Sequence, residues 1–248
     1  MYSPKRRFRL FRSPAFTAFN PALYGTLTVW LDATDVAGTG TNPADGSIVT
    51  TWANKSGSGS SATKFGNPTL SATGVNGKPG ILLNGTSMGY RGAVTNTGSV
   101  STTFVVATLN SGAATNGRLV SFAGDTGTDY DNASYLVPLL RNGNGQGIWT
   151  YYNNVSRSEQ AIPTYDTPFY ATALVDGTNN INYVNGVAGT TSAMTATFAI
   201  TKYGVGIQTN SDGDYWKGYV SEVLVYNSAL STTNRQTVES YLATKWGI

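Results

Sequence analysis

Between Thr26 and Leu31 apolar side chains fall on alternate residues, with Leu27, Val29 and Leu31 on one face of an extended segment and Trp30 on the other. Similar apolar runs recur at 48–52, 81–83, 103–109, 118–123, 135–140, 147–152, 169–175 and 181–184. Each is bounded by Gly, Asn, Asp or Pro, the residues that supply turn geometry. Asn185-Gly186, set between Val184 and Val187, predicts a type I′ hairpin, because both central positions need positive φ. Pro138 places its strand at an edge or a bulge. The run 218–226 is apolar on both faces, which predicts a strand lying between two layers. One helix is expected: Ser231 suits an N-cap for 232–245, Val238, Leu242 and Trp246 recur at helical spacing, and Gly247 ends it. About ten strands and one helix imply an all-β antiparallel sandwich.

Composition sharpens this picture. Charged residues make up 12% of the 248, too few for the exposed faces of a helical bundle, while 29 Gly and 15 Tyr suit short strands and tight turns. With no Cys and no His, the chain cannot build a thiol nucleophile, a disulfide scaffold, a Cys/His zinc site, a Ser-His-Asp triad or a histidine general base. No apolar run reaches the length of a membrane-spanning helix. The net charge of +3 is unevenly placed: five of the 16 basic residues lie within the first twelve, leaving 11 basic against 13 acidic residues in the body. That near-neutral body argues against specific nucleic-acid binding. The sequence therefore divides into a basic N-terminal arm, 1–22, and a single domain, 23–248. Arg9 and Arg12 interrupt the arm's apolar residues, so it does not read as a secretory leader.

Several separated segments resemble a known family. They are V-W-L-D-A-T-D from Val29, D-G-S at 45–47, T-W-A-N-K-S-G at 51–57, N-G-K-P-G-I at 76–81, K-G-Y-V-S-E-V-L-V-Y-N-S-A-L-S at 217–231 and Y-L-A-T-K-W-G-I at 241–248. Together with D-G-T-N-N-I-N-Y-V-N-G-V at 176–187, they are similar to the laminin-G-like branch of the concanavalin A-like lectin/glucanase superfamily. The resemblance spans roughly 23–248 and is weakest at about 88–165. It implies a jelly roll of two antiparallel sheets, one C-terminal helix, and Trp246 plugging the sandwich edge. For function it says less, because this fold hosts lectins, adhesion modules, glycosidases and virion proteins.

Glucanases of that superfamily place paired carboxylates along one strand. Here the three Glu residues, Glu159, Glu222 and Glu239, have no second carboxylate two or four positions on, so catalysis is not expected and Glu222 reads as a structural hydrogen-bonding group. Asp125, Asp129 and Asp131 crowd a Gly-containing loop that suits calcium, although Asx-turns account for the same composition. For glycans, Trp149, Tyr151, Tyr152 and Asn153 at one strand end and Tyr215-Trp216 in a second loop combine aromatic faces with polar groups. Trp149 and Tyr151 serve equally well as core, and Trp30 and Trp52 read better as core anchors than as sugar platforms.

Taken together, these features suggest a non-enzymatic virion surface protein, a capsid decoration or spike. Its arm would grip capsid or other virion subunits through Lys5, Arg6, Arg7, Phe8, Arg9, Phe11, Arg12, Phe16 and Phe19 within an oligomeric assembly. The sandwich would then be displayed for host glycans. The alternative is a carbohydrate-binding module of a secreted or cell-surface protein, and a glycosidase or lyase stands third.

Overall fold

The computed structural model describes residues 19–114, 116–127, 129, 134–141, 147–153 and 155–248, with Tyr151, Ser156 and Arg157 described by backbone alone. Among these residues sixteen strands and one α-helix follow one another. The first eight strands are β1 (Leu27–Asp32), β2 (Thr51–Trp52), β3 (Ala62–Phe65), β4 (Thr69–Val75), β5 (Lys78–Asn84), β6 (Gly89–Asn96), β7 (Ser101–Ala107) and β8 (Gly117–Ala123). After them come β9 (Leu136–Arg141), β10 (Gly147–Tyr152), β11 (Val155–Ala161), β12 (Phe169–Val175), β13 (Asn179–Val184), β14 (Val187–Ala193), β15 (Ile200–Val205), β16 (Lys217–Tyr226) and α1 (Thr232–Trp246).

The strands form two antiparallel sheets of eight. The first runs β14-β13-β12-β7-β16-β5-β4, with β1 also paired to β16, and the second runs β11-β10-β9-β8-β15-β6-β3-β2. Their inner faces meet in a dry core. Val29, Leu31, Val105 and Val223 from the first sheet pack with Trp52, Tyr90, Phe122 and Tyr203 from the second, all at most 1% exposed. Trp52 and Tyr90 meet edge to face, with ring centroids 5.6 Å apart.

The strands missing from the sequence reading are β3, β4, β6, β11, β14 and β15, rich in Ser, Thr and Gly and short of apolar alternation. Tertiary pairing makes them strands where their own pattern does not. Pro138 sits within β9, which pairs on both sides, and the ladder slips register around it, so the bulge is the way it is accommodated. The Asn185-Gly186 turn has φ of 49° and 78°, as a type I′ hairpin requires.

Helix α1 lies against the outer face of the first sheet. Ser231 Oγ accepts the Asn234 amide at its start, and Gly247 closes it at φ 71°. Thr172 of β12 donates to Glu239 at 2.8 Å, and the Arg235 guanidinium stacks 3.8 Å from the Tyr183 ring centroid of β13. This explains the two apolar faces of β16: one meets the other sheet and one meets the helix. The outer face of the second sheet has no helix over it among the described residues.

Candidate functional site

Two groups of charged side chains stand out, one on each outer face. Under α1, Asp32 of β1 and Glu222 of β16 face each other in register. Glu222 is fully buried and accepts four hydrogen bonds: Trp30 Nε1 at 3.0 Å and Tyr241 Oη at 2.9 Å on Oε1, and Lys245 Nζ at 2.8 Å and Trp246 Nε1 at 2.7 Å on Oε2. Burial pushes its carboxyl above the usual range, and Lys245 opposes that rise. Lys245 also reaches Asp32 Oδ2 at 2.9 Å. Lys55 bridges Asp32 at 3.3 Å and Asp35 at 3.2 Å. Burial acts to raise Asp32 too, but Lys245 and the Thr34 donors outweigh it and hold the carboxyl below its ordinary value. With four donors on its lone pairs and no exposure, Glu222 has no oxygen to offer a solvent-borne substrate. It acts as the hydrogen-bonding hub expected of it, and Trp246 is the buried plug at this edge.

The opposite face is open. Arg91 of β6 and Lys202 of β15 rise outward from neighbouring strands, with Lys202 in register with Ala93 and Arg91 with Gly204. Between them Gly92 makes room for the Tyr203 ring packed beneath; a Cβ there would lie 2.5 Å from that ring. The segment 206–216 folds back over this face. Arg91 holds it, donating from Nε and Nη2 to the Gln208 carbonyl at 3.0 and 2.9 Å and from Nη2 to Asp212 at 3.0 Å. Asn210 Nδ2 ties that segment to the neighbouring loop through the Gly124 and Gly127 carbonyls at 2.9 and 3.0 Å. Beneath, Arg118 pairs with Asp129 at 3.4 Å and with Asp214 at 3.2 Å.

The result is an open groove of about 400 Å³ lined by Arg91, Gly92, Ala93, Lys202, Thr209 and Asn210. Phe65 and Tyr215 stack beside it at 6.1 Å, with the Arg91 guanidinium 5.1 Å from the Phe65 ring centroid. Arg91 Nη1 and Asn210 Oδ1 have no partner among the described residues. Lys202 has one long contact, 3.5 Å to the exposed Asp125. Donors, acceptors and a flanking aromatic pair thus converge in one solvent-accessible place.

The residues singled out from the sequence scatter. Trp216, expected as a stacking platform, is fully buried, and its Nε1 donates to the Thr108 carbonyl at 2.8 Å, so neither ring face is available. Tyr152 is also core, while Trp149 is half-buried and Asn153 exposed. The side chain of Tyr151 lies outside the described residues. Of the glycan candidates whose side chains are described, only Tyr215 adjoins the groove. Of the three carboxylates expected at calcium, Asp129 is buried against Arg118, which counters the upward push of burial on its carboxyl. Asp125 is exposed, pairs with Lys202 and accepts from Thr201 at 3.0 Å, and Asp131 lies outside the described residues. The two that are described are each matched to a different cation. Lys5, Arg6, Arg7, Phe8, Arg9, Phe11, Arg12 and Phe16 lie outside the described residues. Phe19 packs on its own domain, stacked 3.8 Å from the Tyr241 ring and 5.2 Å from Tyr24. No sequence pattern singles out Arg91, Lys202 or Asn210; the two cations sit on strands that glycines obscure.

No protein-family model matches the chain, and no curated protein sequence matches it. Solved structures do. Domain 4 of AbnA, a GH43 extracellular arabinanase from Geobacillus stearothermophilus solved with arabinotriose, superposes with a TM-score of 0.61 at 18% identity, over 87% of this chain and 99% of that one. Trypanosoma rangeli sialidase in complex with sialic acid superposes at 0.60 with 13% identity, over 88% of this chain. This chain spans about a third of that sialidase's length, 33%. At these identities the likeness establishes the two-sheet fold. The laminin-G and virion expectations draw no support from it.

Proposed function

We propose that the chain is a non-catalytic carbohydrate-binding module of an extracellular or cell-surface protein, and that the groove on the second sheet holds the sugar. The observation that carries this reading is the unspent hydrogen-bonding capacity gathered there: Arg91 Nη1 and Lys202 Nζ as donors, Asn210 Oδ1 and Asp125 as acceptors, and the Phe65–Tyr215 stack alongside. Polyhydroxylated ligands require this mixture of fixed polar groups and an aromatic wall. A domain of the same fold that holds arabinotriose supports the reading. The virion alternative leans on arm residues of which only Phe19 is described, and Phe19 is engaged with Tyr241.

The non-catalytic part rests on where the carboxylates are. Glu222 is saturated with donors, and Asp125 and Asp212 at the groove rim each face a cation. The test is a glycan array probed with the full chain, followed by calorimetry on the best oligosaccharide. Arg91→Ala is expected to weaken binding about ten-fold or more, the worth of a hydrogen bond to a charged group, and Asn210→Ala by about two- to ten-fold, the worth of a neutral one. No reducing ends should appear when the chain is incubated with the same glycans. Absence of any glycan binding sinks the proposal, as does binding that survives both groove substitutions and is lost in Trp149→Ala.

A further inference from the structure

The cluster under α1 has every part needed to join two side chains covalently. Lys245 Nζ lies 2.9 Å from Asp32 Oδ2 and 2.8 Å from Glu222 Oε2. Asp32 Oδ1 accepts from the Thr34 amide at 2.9 Å and from the Thr34 hydroxyl at 2.7 Å. Lys55 Nζ stands 3.3 Å from Oδ2. The side chain of Asp32 is 5% exposed, that of Lys245 19% and that of Glu222 0%, and the Trp246 ring lies 5.0 Å from Nζ. A nucleophile, an acyl carbon, a proton relay and two donors on the future oxyanion are therefore assembled where water is largely excluded.

We propose that Lys245 and Asp32 form an intramolecular isopeptide bond, with Glu222 as the proton relay. The Lys245 ammonium passes one proton to Glu222 Oε2. The neutral amine adds to Asp32 Cγ, and the charge gathers on Oδ1, where the Thr34 N–H and O–H donate. The nitrogen then gives up a second proton. Both protons, one relayed through Glu222, go to Oδ2, which leaves as water as the new C–N bond replaces the C–O bond. An ammonium and a carboxylate become an amide and one water, Glu222 ends as it began, and no oxidant or co-reactant is needed. Lys55 offsets the charge on the departing oxygen. Burial helps twice: it raises the proton affinity of Glu222, which favours the transfer from Lys245, and it limits the water that would reverse the step. Trp30, Tyr241 and Trp246 fix the carboxylate through their hydrogen bonds and act as positioning residues. The bond would fasten β1 to α1, elements from opposite ends of the described fold.

The test uses the purified full chain. Under denaturing conditions its intact mass, after allowance for the N-terminal methionine, is expected to be one water below the sequence mass. Trypsin should leave Lys245 uncut and release a branched peptide joining the segments that contain Asp32 and Lys245. Lys245→Arg keeps a cation in place and should restore the full mass, and Glu222→Gln should do the same or slow the loss of water. If either variant fails to fold, the wild-type spectrum still decides. A full sequence mass with normal cleavage after Lys245 overturns the proposal, and so does a lost water that maps to any other pair, Lys55 with Asp32 included.

Discussion

Glu222 and Asp212 are both carboxylates held by a basic side chain, yet one is fully buried beneath α1 and the other has a side chain 60% exposed at the rim of the groove. The helix-covered cluster gives each Glu222 oxygen two donors and each of its two lysines two carboxylates, so its charges serve the fold. The open face leaves an arginine nitrogen and an amide oxygen unmatched, so its charges are available to a ligand. A residue's type does not separate these roles in this chain. The difference lies in whether the neighbours fill every lone pair and whether water reaches what is left.

This contrast can be broken most directly at Glu222. Glu222→Ala takes from Lys245 one of its two carboxylates, leaves three other donors without their acceptor in a dry site and is expected to cost about 3–5 kcal/mol, as when one partner of a buried ion pair is removed. Urea unfolding measures it, and a loss under about 1 kcal/mol would place the cluster with ordinary surface pairs. On the other face, Arg91→Ala should cost about 1.5–3 kcal/mol in glycan affinity, read by calorimetry.

Acid sharpens the comparison next. The carboxyl of Asp35, and that of Asp32 while it is not joined to Lys245, are held below their ordinary values, so the stability they contribute is present above the unfolded value of about 3.9 and is lost as pH falls through the folded values. Glu222 and Asp129 are shifted upward and work the other way, stabilising as they take up protons. Asp35→Asn isolates the first effect: it should lose less stability than wild type on going from about pH 4 to about pH 2 in urea titrations. At the alkaline end, Lys55 is raised, so its contribution holds below the unfolded value of about 10.4 and fades as pH climbs through its folded one. The smallest effect belongs to Lys202→Ala, which should change folding stability by no more than about 0.5 kcal/mol, because its one ion pair is long and exposed.

The parts of the fold that the sequence made legible are those with a local signature. Ser231 and Gly247 bracket α1, Asn185-Gly186 turns the β13–β14 hairpin, and the two apolar faces of β16 foretell its cover on both sides. The role of Glu222 could also be read, because its strand supplies no second carboxylate. The groove could not. Arg91 and its anchor, the Gln208 carbonyl, are separated by 117 positions, and β6 and β15 carry glycines that blunt the alternation of a strand. Trp216 misled for the opposite reason. Its neighbours Asp212, Gly213 and Asp214 read as an exposed loop, whereas the loop folds inward and carries the indole into the core. A lone arginine between glycines, as in Gly89-Tyr90-Arg91-Gly92, is the one local hint of a backbone built for close approach.

The pairing of β1, β5 and β7 with β16 bears on how the molecule comes into being. Three strands made early share a neighbour that lies far along the chain, so the first sheet stays incomplete until β16 has been made. Until β16 arrives, those strands present bare edges to the cell. Folding should then be slow, governed by closure of very long loops, and a nascent chain stalled before Lys217 is expected to be sensitive to protease.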